Sequence, residues 1–218
     1  MRFSVSARRS LTIALAATVI GLSALTAARA ADVSFTGAFT RDDNLALFSF
    51  AVTDGPVSLV TVRTSSYATG GFDPILSVFR GDGLLLADND DVNLGIPTSV
   101  VPADPTTGQR SDSFLEIDLE PGVYTLALTQ YDNFATGPNL SNGFLRAGQN
   151  NFTGGPFIQS VQQPGGSFVN YQRTGNYAVQ ILNVQGASAI PEPGTLALLA
   201  TMGLPLLAGR IARRRRSA

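Results

Sequence analysis

Through the middle of this chain, apolar and polar residues alternate with a period of two. Val33, Phe35, Gly37 and Phe39 share one face of 33–40, with Ser34, Thr36, Ala38 and Thr40 on the other, the pattern of a half-buried strand. Phe48, Phe50 and Val52 repeat it within 45–53, and Val60 and Val62 alternate with threonines within 57–64. A more continuous apolar run, 72–79, turns through Gly81-Asp82-Gly83 into 84–87, as a hairpin would. In 114–119, Leu115, Ile117 and Leu119 face inward while Glu116 and Asp118 face out; Tyr124, Leu126 and Leu128 line one face of the next segment. The turns between segments are Arg41-Asp42-Asp43-Asn44, Asp54-Gly55-Pro56 and Glu120-Pro121-Gly122, rich in residues that bond their own backbone or fix it. No helical stretch interrupts this rhythm, which predicts an all-β chain folded as an antiparallel β-sandwich.

The rhythm breaks over 131–174, where Gly, Asn, Gln and Pro dominate and Phe134, Phe144, Phe152, Phe157 and Phe168 are scattered. This segment reads as a long surface insertion with one added hairpin, its phenylalanines packed under the loop. Gly175-Asn176-Tyr177-Ala178-Val179-Gln180-Ile181 is expected as the last strand, and it repeats the pattern of Gly122-Val123-Tyr124-Thr125-Leu126-Ala127-Leu128. The two copies are expected to take similar places in the sandwich, each tyrosine burying its ring and keeping its hydroxyl bonded.

Both ends stand apart from the strands. Arg2, Arg8 and Arg9 precede an apolar stretch, 11–25, and Ala28-Arg29-Ala30 supplies the small-x-small pattern that signal peptidase cuts. Residues 1–30 are therefore expected to leave as a signal peptide, with Ala31 the new N-terminus. At the other end, 190–218, Pro191-Glu192-Pro193 forms a stiff handle before an apolar run, 196–209, and the cluster Arg213 to Arg216. The run is shorter than the ~20 residues a helix needs to cross a bilayer unaided, and the arginines belong on the cytoplasmic side. This trio resembles the PEP-CTERM sorting signal of exopolysaccharide-producing Gram-negative bacteria. The resemblance implies export, a C-terminal transmembrane helix that anchors transiently in the inner membrane, and processing by an exosortase, with delivery to the envelope, cell surface or matrix.

The residues between the two ends, 31–189, are one domain's worth of chain. They carry six arginines against thirteen aspartates and two glutamates, a net charge of −9, which disfavours nucleic acid and favours cationic partners. Cysteine, histidine and lysine are absent throughout the chain. That removes disulfides, Ser/His and Cys/His nucleophile pairs, and Schiff-base chemistry. Phe72-Asp73-Pro74-x-Leu76-x-Val78-Phe79, Leu86-Ala87-x-Asn89-Asp90-Asp91, Leu119-x-Pro121-Gly122-x-Tyr124 and Gly175-x-Tyr177 together resemble the bacterial pre-peptidase C-terminal (PPC-like) domain. That resemblance implies a jelly-roll-like sandwich, generally non-catalytic, that binds or contacts matrix; some members bind calcium.

Candidate chemistry concentrates in carboxylates. Asp88, Asn89, Asp90 and Asp91 follow 84–87 directly, Asp73 opens the neighbouring segment, and Asp132 with Asn133 ends the strand from Gly122. Hard oxygen donors converging at one end of a sandwich suit Ca²⁺, with Asp73, Asp88, Asn89, Asp90 and Asp91 as its ligands; the alternative is an acidic turn whose side chains cap amides. No catalytic residues are assigned. The expected function is an exported, non-catalytic matrix β-sandwich associated with exopolysaccharide. The alternatives are a carbohydrate-binding module for that polysaccharide, then a glycoside-active enzyme.

Overall fold

A computed structural model describes residues 31–92 and 95–191. The expected signal peptide, the apolar tail, the arginine cluster, Glu192 and Pro193 lie outside the described residues, as do the two terminal helices expected there. Among the described residues no helix is long and apolar enough to cross a membrane.

The described residues form eleven strands: β1 (Ala31–Ala38), β2 (Ala46–Val52), β3 (Ser58–Thr64), β4 (Pro74–Arg80), β5 (Leu85–Asn89), β6 (Phe114–Leu119), β7 (Gly122–Gln130), β8 (Ile158–Gln162), β9 (Phe168–Gln172), β10 (Asn176–Val184) and β11 (Ala187–Ile190). One antiparallel sheet runs β1-β10-β3-β6 and the other β11-β2-β7-β4-β5, with β8-β9 a separate hairpin. A single core lies between the two sheets. Val60, Val62, Val179 and Ile181 reach into it from one side, and Phe48, Phe50, Val52, Leu76, Val78, Tyr124, Leu126 and Leu128 from the other. The chain is thus all-β and antiparallel, as the period of two predicts.

The last strand is not β10, as the sequence suggests, but β11. Ala187–Ile190 pairs with β2, Ala187 opposite Phe50 and Ile190 opposite Leu47, and extends the five-stranded sheet. The two Gly-x-Tyr strands, β7 and β10, are interior strands of opposite sheets, as their matching patterns suggest. Tyr124 is buried and its hydroxyl donates to the Glu120 carbonyl at 2.7 Å. Tyr177 is half-buried against Phe39 and Phe48. Gly175, just before β10, allows a close crossing: its carbonyl accepts from the Phe39 amide at 2.8 Å, and a Cβ there would overlap the Phe39 carbonyl oxygen.

The segment 131–174 is more than a surface insertion. Ala135, Leu140 and Phe144 lie over the outer face of the five-stranded sheet, against Leu47, Phe79, Leu85 and Ala127. That third layer covers Phe79, and β4, buried on both faces from Pro74 to Phe79, reads in sequence as an apolar run rather than an alternation. Further along, Phe157 enters the central core and stacks on Phe72 at 5.5 Å between centroids. The expected hairpin is β8-β9, with Phe168 exposed near its turn.

Candidate functional site

Much of the acidity is spent on structure. Asp112, fully buried, accepts from the Thr64 hydroxyl at 2.8 Å and from the amides of Tyr67 and Ala68 at 3.0 and 3.2 Å, capping the short 3-10 turn Tyr67–Thr69. Asp42, also fully buried, takes the Thr153 amide and hydroxyl at 2.9 and 2.6 Å and the Phe157 amide at 2.6 Å, which straps the insertion to the β1–β2 turn. That strap matters because Phe157 has φ 55, a left-handed conformation unusual for so bulky a residue. Asp104 accepts from Thr106 and Thr107 and forms a buried ion pair with Arg173 at 3.2 Å. Burial pushes the Asp104 carboxyl up, but Arg173 and the Thr107 donors outweigh it and leave it below its ordinary value.

Asp73 is the exception. It directly precedes β4, and its backbone carbonyl accepts from the Tyr131 amide across the β4–β7 ladder. The residue is 7 % exposed; its Oδ2 accepts from Gln159 Nε2 at 2.8 Å, while Oδ1 has no hydrogen-bond partner. Burial first, then the charge of Asp91, with Asp90 and Asp112 adding, hold this carboxyl well above the usual range. The Ser111 hydroxyl lies beside both Asp73 and Asp91 and lowers each, without closing a hydrogen bond to Asp73 Oδ1. Asp91 is itself raised, by burial and by Asp90.

The folded chain keeps the Asp73 proton to higher pH than the unfolded chain does, so this group's contribution is complete below the ordinary value of 3.8 and is lost as pH rises through the folded value. Asp73→Asn is therefore expected to stabilise the protein at neutral pH, by about 1–3 kcal/mol, the usual cost of a buried polar group left without a partner. Urea unfolding at neutral pH and again below 3.8 checks it, with the gap closing at the lower pH. A variant less stable than the native chain at both would show that Asp73 is compensated in the fold.

Asp73 lines a cavity of about 300 Å³, walled by the ends of β4 and β7 and by the insertion. Gln130, Tyr131, Asp132, Arg146, Phe152 and Gln159 share the wall. Gln130 is 3 % exposed and its Oε1 has no partner; the Arg146 Nε is likewise buried and unpartnered. The Arg146 guanidinium pairs with Asp132 and lies 5.3 Å from the centre of the Phe152 ring. Asp132 holds φ 75, and the next residue, Asn133, accepts from the Arg146 amide at 2.8 Å. The Tyr131 phenol is raised by burial first, and then by the charges of Asp90, Asp132, Asp73 and Asp91. A relay of side chains runs inward from this wall: Gln159 Oε1 accepts from the Tyr67 hydroxyl at 2.5 Å, which lies 3.0 Å from that of Thr107, an Asp104 partner.

The β4–β5 register places Leu76 opposite Asn89 and Ser77 opposite Asp88, so the Gly81–Gly83 turn does return the acidic loop to the Asp73 end. Asp90 and Asp91 lie near enough to Asp73 to raise it. Asp88 and Asn89, adjacent on a strand, occupy opposite faces. Asn89 Oδ1 accepts from the Phe114 amide at 3.0 Å, tying β5 to β6, and the Ser113 hydroxyl contacts the carbonyl oxygens of Pro74, Asn89 and Asp90. Among the described residues, no group of three His, Cys, Asp or Glu side chains is arranged to hold a metal ion. Gln130, Arg146 and Gln159 were not singled out from sequence: nothing local distinguishes them from other polar residues in a Gly- and Gln-rich stretch. Pro191 ends the described chain, exposed, one residue after β11.

No protein-family model matches the chain, and no curated protein matches it. Among solved structures it is similar to the pre-peptidase C-terminal domain of a collagenase from Bacillus anthracis, at 10 % identity and a TM-score of 0.37, covering 69 % of this chain and 89 % of that one.

Proposed function

We propose that this is an exported, non-catalytic β-sandwich of the envelope or extracellular matrix, delivered by exosortase sorting and associated with exopolysaccharide. The observation that carries the reading is how the buried carboxylates are used: Asp42, Asp104 and Asp112 are bonded to loop amides, hydroxyls or Arg173 and hold loops in place, and Asp132, which shares the cavity wall with Asp73, is paired with Arg146. The succession from Phe72-Asp73-Pro74 to Gly175-x-Tyr177 supports a PPC-like domain, and Pro191-Glu192-Pro193 with the arginine cluster supports the sorting route. Intact-mass measurement of the protein recovered from its producer tests that route. The expected species begins at Ala31 and lacks Arg213 to Arg216; an exported species that keeps those arginines in a strain with active exosortase overturns it. Incubation with the producer's polysaccharide is expected to leave chain length unchanged, and hydrolysis lost on changing particular Asp or Glu residues would favour the glycoside-active reading.

A second reading, binding of the cell's own polysaccharide, is favoured by the Asp73–Gln130 cavity with Tyr131 and Phe152 in its wall. We also propose Ca²⁺ at the neighbouring end, where Asp73, Asp90 and Asp91 gather like charges. Because these carboxylates do not already form a cage, binding requires Asp90 and Asp91, just after β5, to close on Asp73. Millimolar Ca²⁺ is expected to raise the melting temperature, equivalent to ~2.7 kcal/mol at a hundredfold excess over Kd. Asp90→Asn with Asp91→Asn should abolish the rise, and identical melting curves in Ca²⁺ and chelator would remove calcium from the account.

A further inference from the structure

We propose that the β8-β9 hairpin is a lipid-contacting element whose tip sets Phe168 and Val169 into the bilayer interface. The inference rests on the anchoring reading of 196–209 and adds to it a second point of contact, on the folded domain itself. The hairpin belongs to neither large sheet. Its root is fixed: Gln159 Nε2 donates to Asp73 Oδ2 at 2.8 Å, Gln172 Nε2 donates to the Pro156 carbonyl at 2.5 Å, and the buried Arg173 donates to the carbonyls of Gly71 and Tyr67. Its far end is bare. Every residue from Pro164 to Asn170 is exposed, and Phe168, at 64 %, is more exposed than any other large apolar side chain among the described residues. Val169 beside it is 41 % exposed. An aromatic ring held out on a fixed root marks a contact surface.

Two observations select a lipid surface as the occupant. The first is position. Ile190 lies opposite Leu47, Ala46 opposite Leu128, and Gln130 opposite Pro74, so β11 finishes at the same end of its sheet as Asp73, where the hairpin is rooted. β11 and β4 are three strand spacings apart, roughly 14 Å. Ile190 precedes Leu196 by six residues, a reach of at most about 22 Å. Each arm of the hairpin has five residues, roughly 17 Å. An anchor that begins at Leu196 therefore keeps this end of the sandwich within about the hairpin's own length of the bilayer surface. The second is charge. From Ala147 to Gln172 there is no Asp, Glu, Lys or Arg, in a domain of net charge −9. A charged tip would cost desolvation in the interface, and a carboxylate there would be repelled by anionic lipid; this tip meets neither penalty. One phenylalanine partitions weakly by itself, so the contact forms once the tail makes it intramolecular.

The test is fluorescence of the full-length chain reconstituted into vesicles of phosphatidylethanolamine and phosphatidylglycerol. The chain has no tryptophan, so Phe168→Trp and Val123→Trp each carry a single reporter. Val123 is 57 % exposed near the start of β7, at the opposite end of the sheet. Both substitutions fall at exposed positions and are expected to leave the urea midpoint unchanged. Flotation with the vesicles reports the anchor, and the emission reports the hairpin. Emission of Phe168→Trp is expected to shift to shorter wavelength and to be quenched by brominated acyl chains. It should stay so in about 1 M salt, where exposed charges are screened. Val123→Trp is expected to emit as in water, with or without bromine. Phe168→Ser added to Val169→Trp should lower the quenching seen with Val169→Trp alone, which ties the contact to the native phenylalanine. A floating chain whose Phe168→Trp emission matches that of Val123→Trp overturns the hairpin inference and leaves the anchor standing. A chain that does not float overturns both. A shift without quenching, lost as the protein is diluted in lipid, replaces the bilayer with a second copy of this chain.

Discussion

Arg173→Ala is expected to destabilise the fold by about 3–5 kcal/mol, the range for removing one partner of a buried ion pair. Arg173 is 5 % exposed at the end of the insertion, and its guanidinium is held by carbonyls, a carboxylate and an aromatic ring. Nε donates to the Gly71 carbonyl at 2.9 Å, and one terminal nitrogen donates to the Tyr67 carbonyl and reaches Asp104 at 3.2 Å. Its Cζ lies 4.2 Å from the centre of the Tyr67 ring. Truncation leaves the Asp104 charge buried at 2 % exposure with only amide and hydroxyl donors, and strips two carbonyls of the loop between β3 and β4. Arg173→Lys should recover only part of the loss, because a point charge cannot serve the fork of acceptors and stack on the ring together. Arg173→Met combined with Asp104→Asn removes both charges and is expected to be milder than Arg173→Ala alone. Urea unfolding of the three variants checks the ordering. A loss below about 1 kcal/mol for Arg173→Ala, the level of an exposed pair, would mean that the pair is solvated.

The same arginine marks where sequence reasoning stops. β2, β3, β6 and β7 were legible because one face of each is apolar and the other polar at least in part, and a period of two admits one inward set. The hairpin count from Gly81-Asp82-Gly83 also led correctly to Asp73 beside the acidic loop, since pairing across a tight turn is nearly symmetrical. Arg173 and Asp104 gave no such signal. A charged residue is ordinarily outside, and these two are inside only because residues 69 positions apart meet there. The density of Asp88, Asp90 and Asp91 drew attention for the opposite reason: three carboxylates in four residues are conspicuous along the chain, but strand alternation does not put consecutive residues on one face. Asp73 carries the unusual environment instead, through burial that its neighbours in sequence do not reveal. β11 was missed because Ala-Ser-Ala-Ile has little strand preference of its own. Its pairing is set by the free edge of β2, a tertiary feature.

Leu126→Ala is expected to cost about 2–5 kcal/mol, toward the upper part of that range. Leu126 is completely buried in the middle of β7, opposite Phe48 on β2 and Val78 on β4. The lost side chain takes its transfer free energy with it, and what remains depends on whether the surroundings can close the void. Here they are poorly placed to do so. β7 is hydrogen-bonded on both sides, so its backbone cannot move inward without breaking two ladders, and the third layer of Phe144 and Ala135 pins the outer face of the sheet. No disulfide is available to offset the loss, since the chain has no cysteine. Three residues earlier on the same strand, Val123 points outward beyond the cover of that third layer and is 57 % exposed. Val123→Ala should change stability by no more than about 0.5 kcal/mol, as surface substitutions usually do. The pair of variants therefore reads the inward face of β7 directly in urea unfolding. If the two losses were equal, the alternation that orders both sheets around one core would be wrong for the strand at its centre.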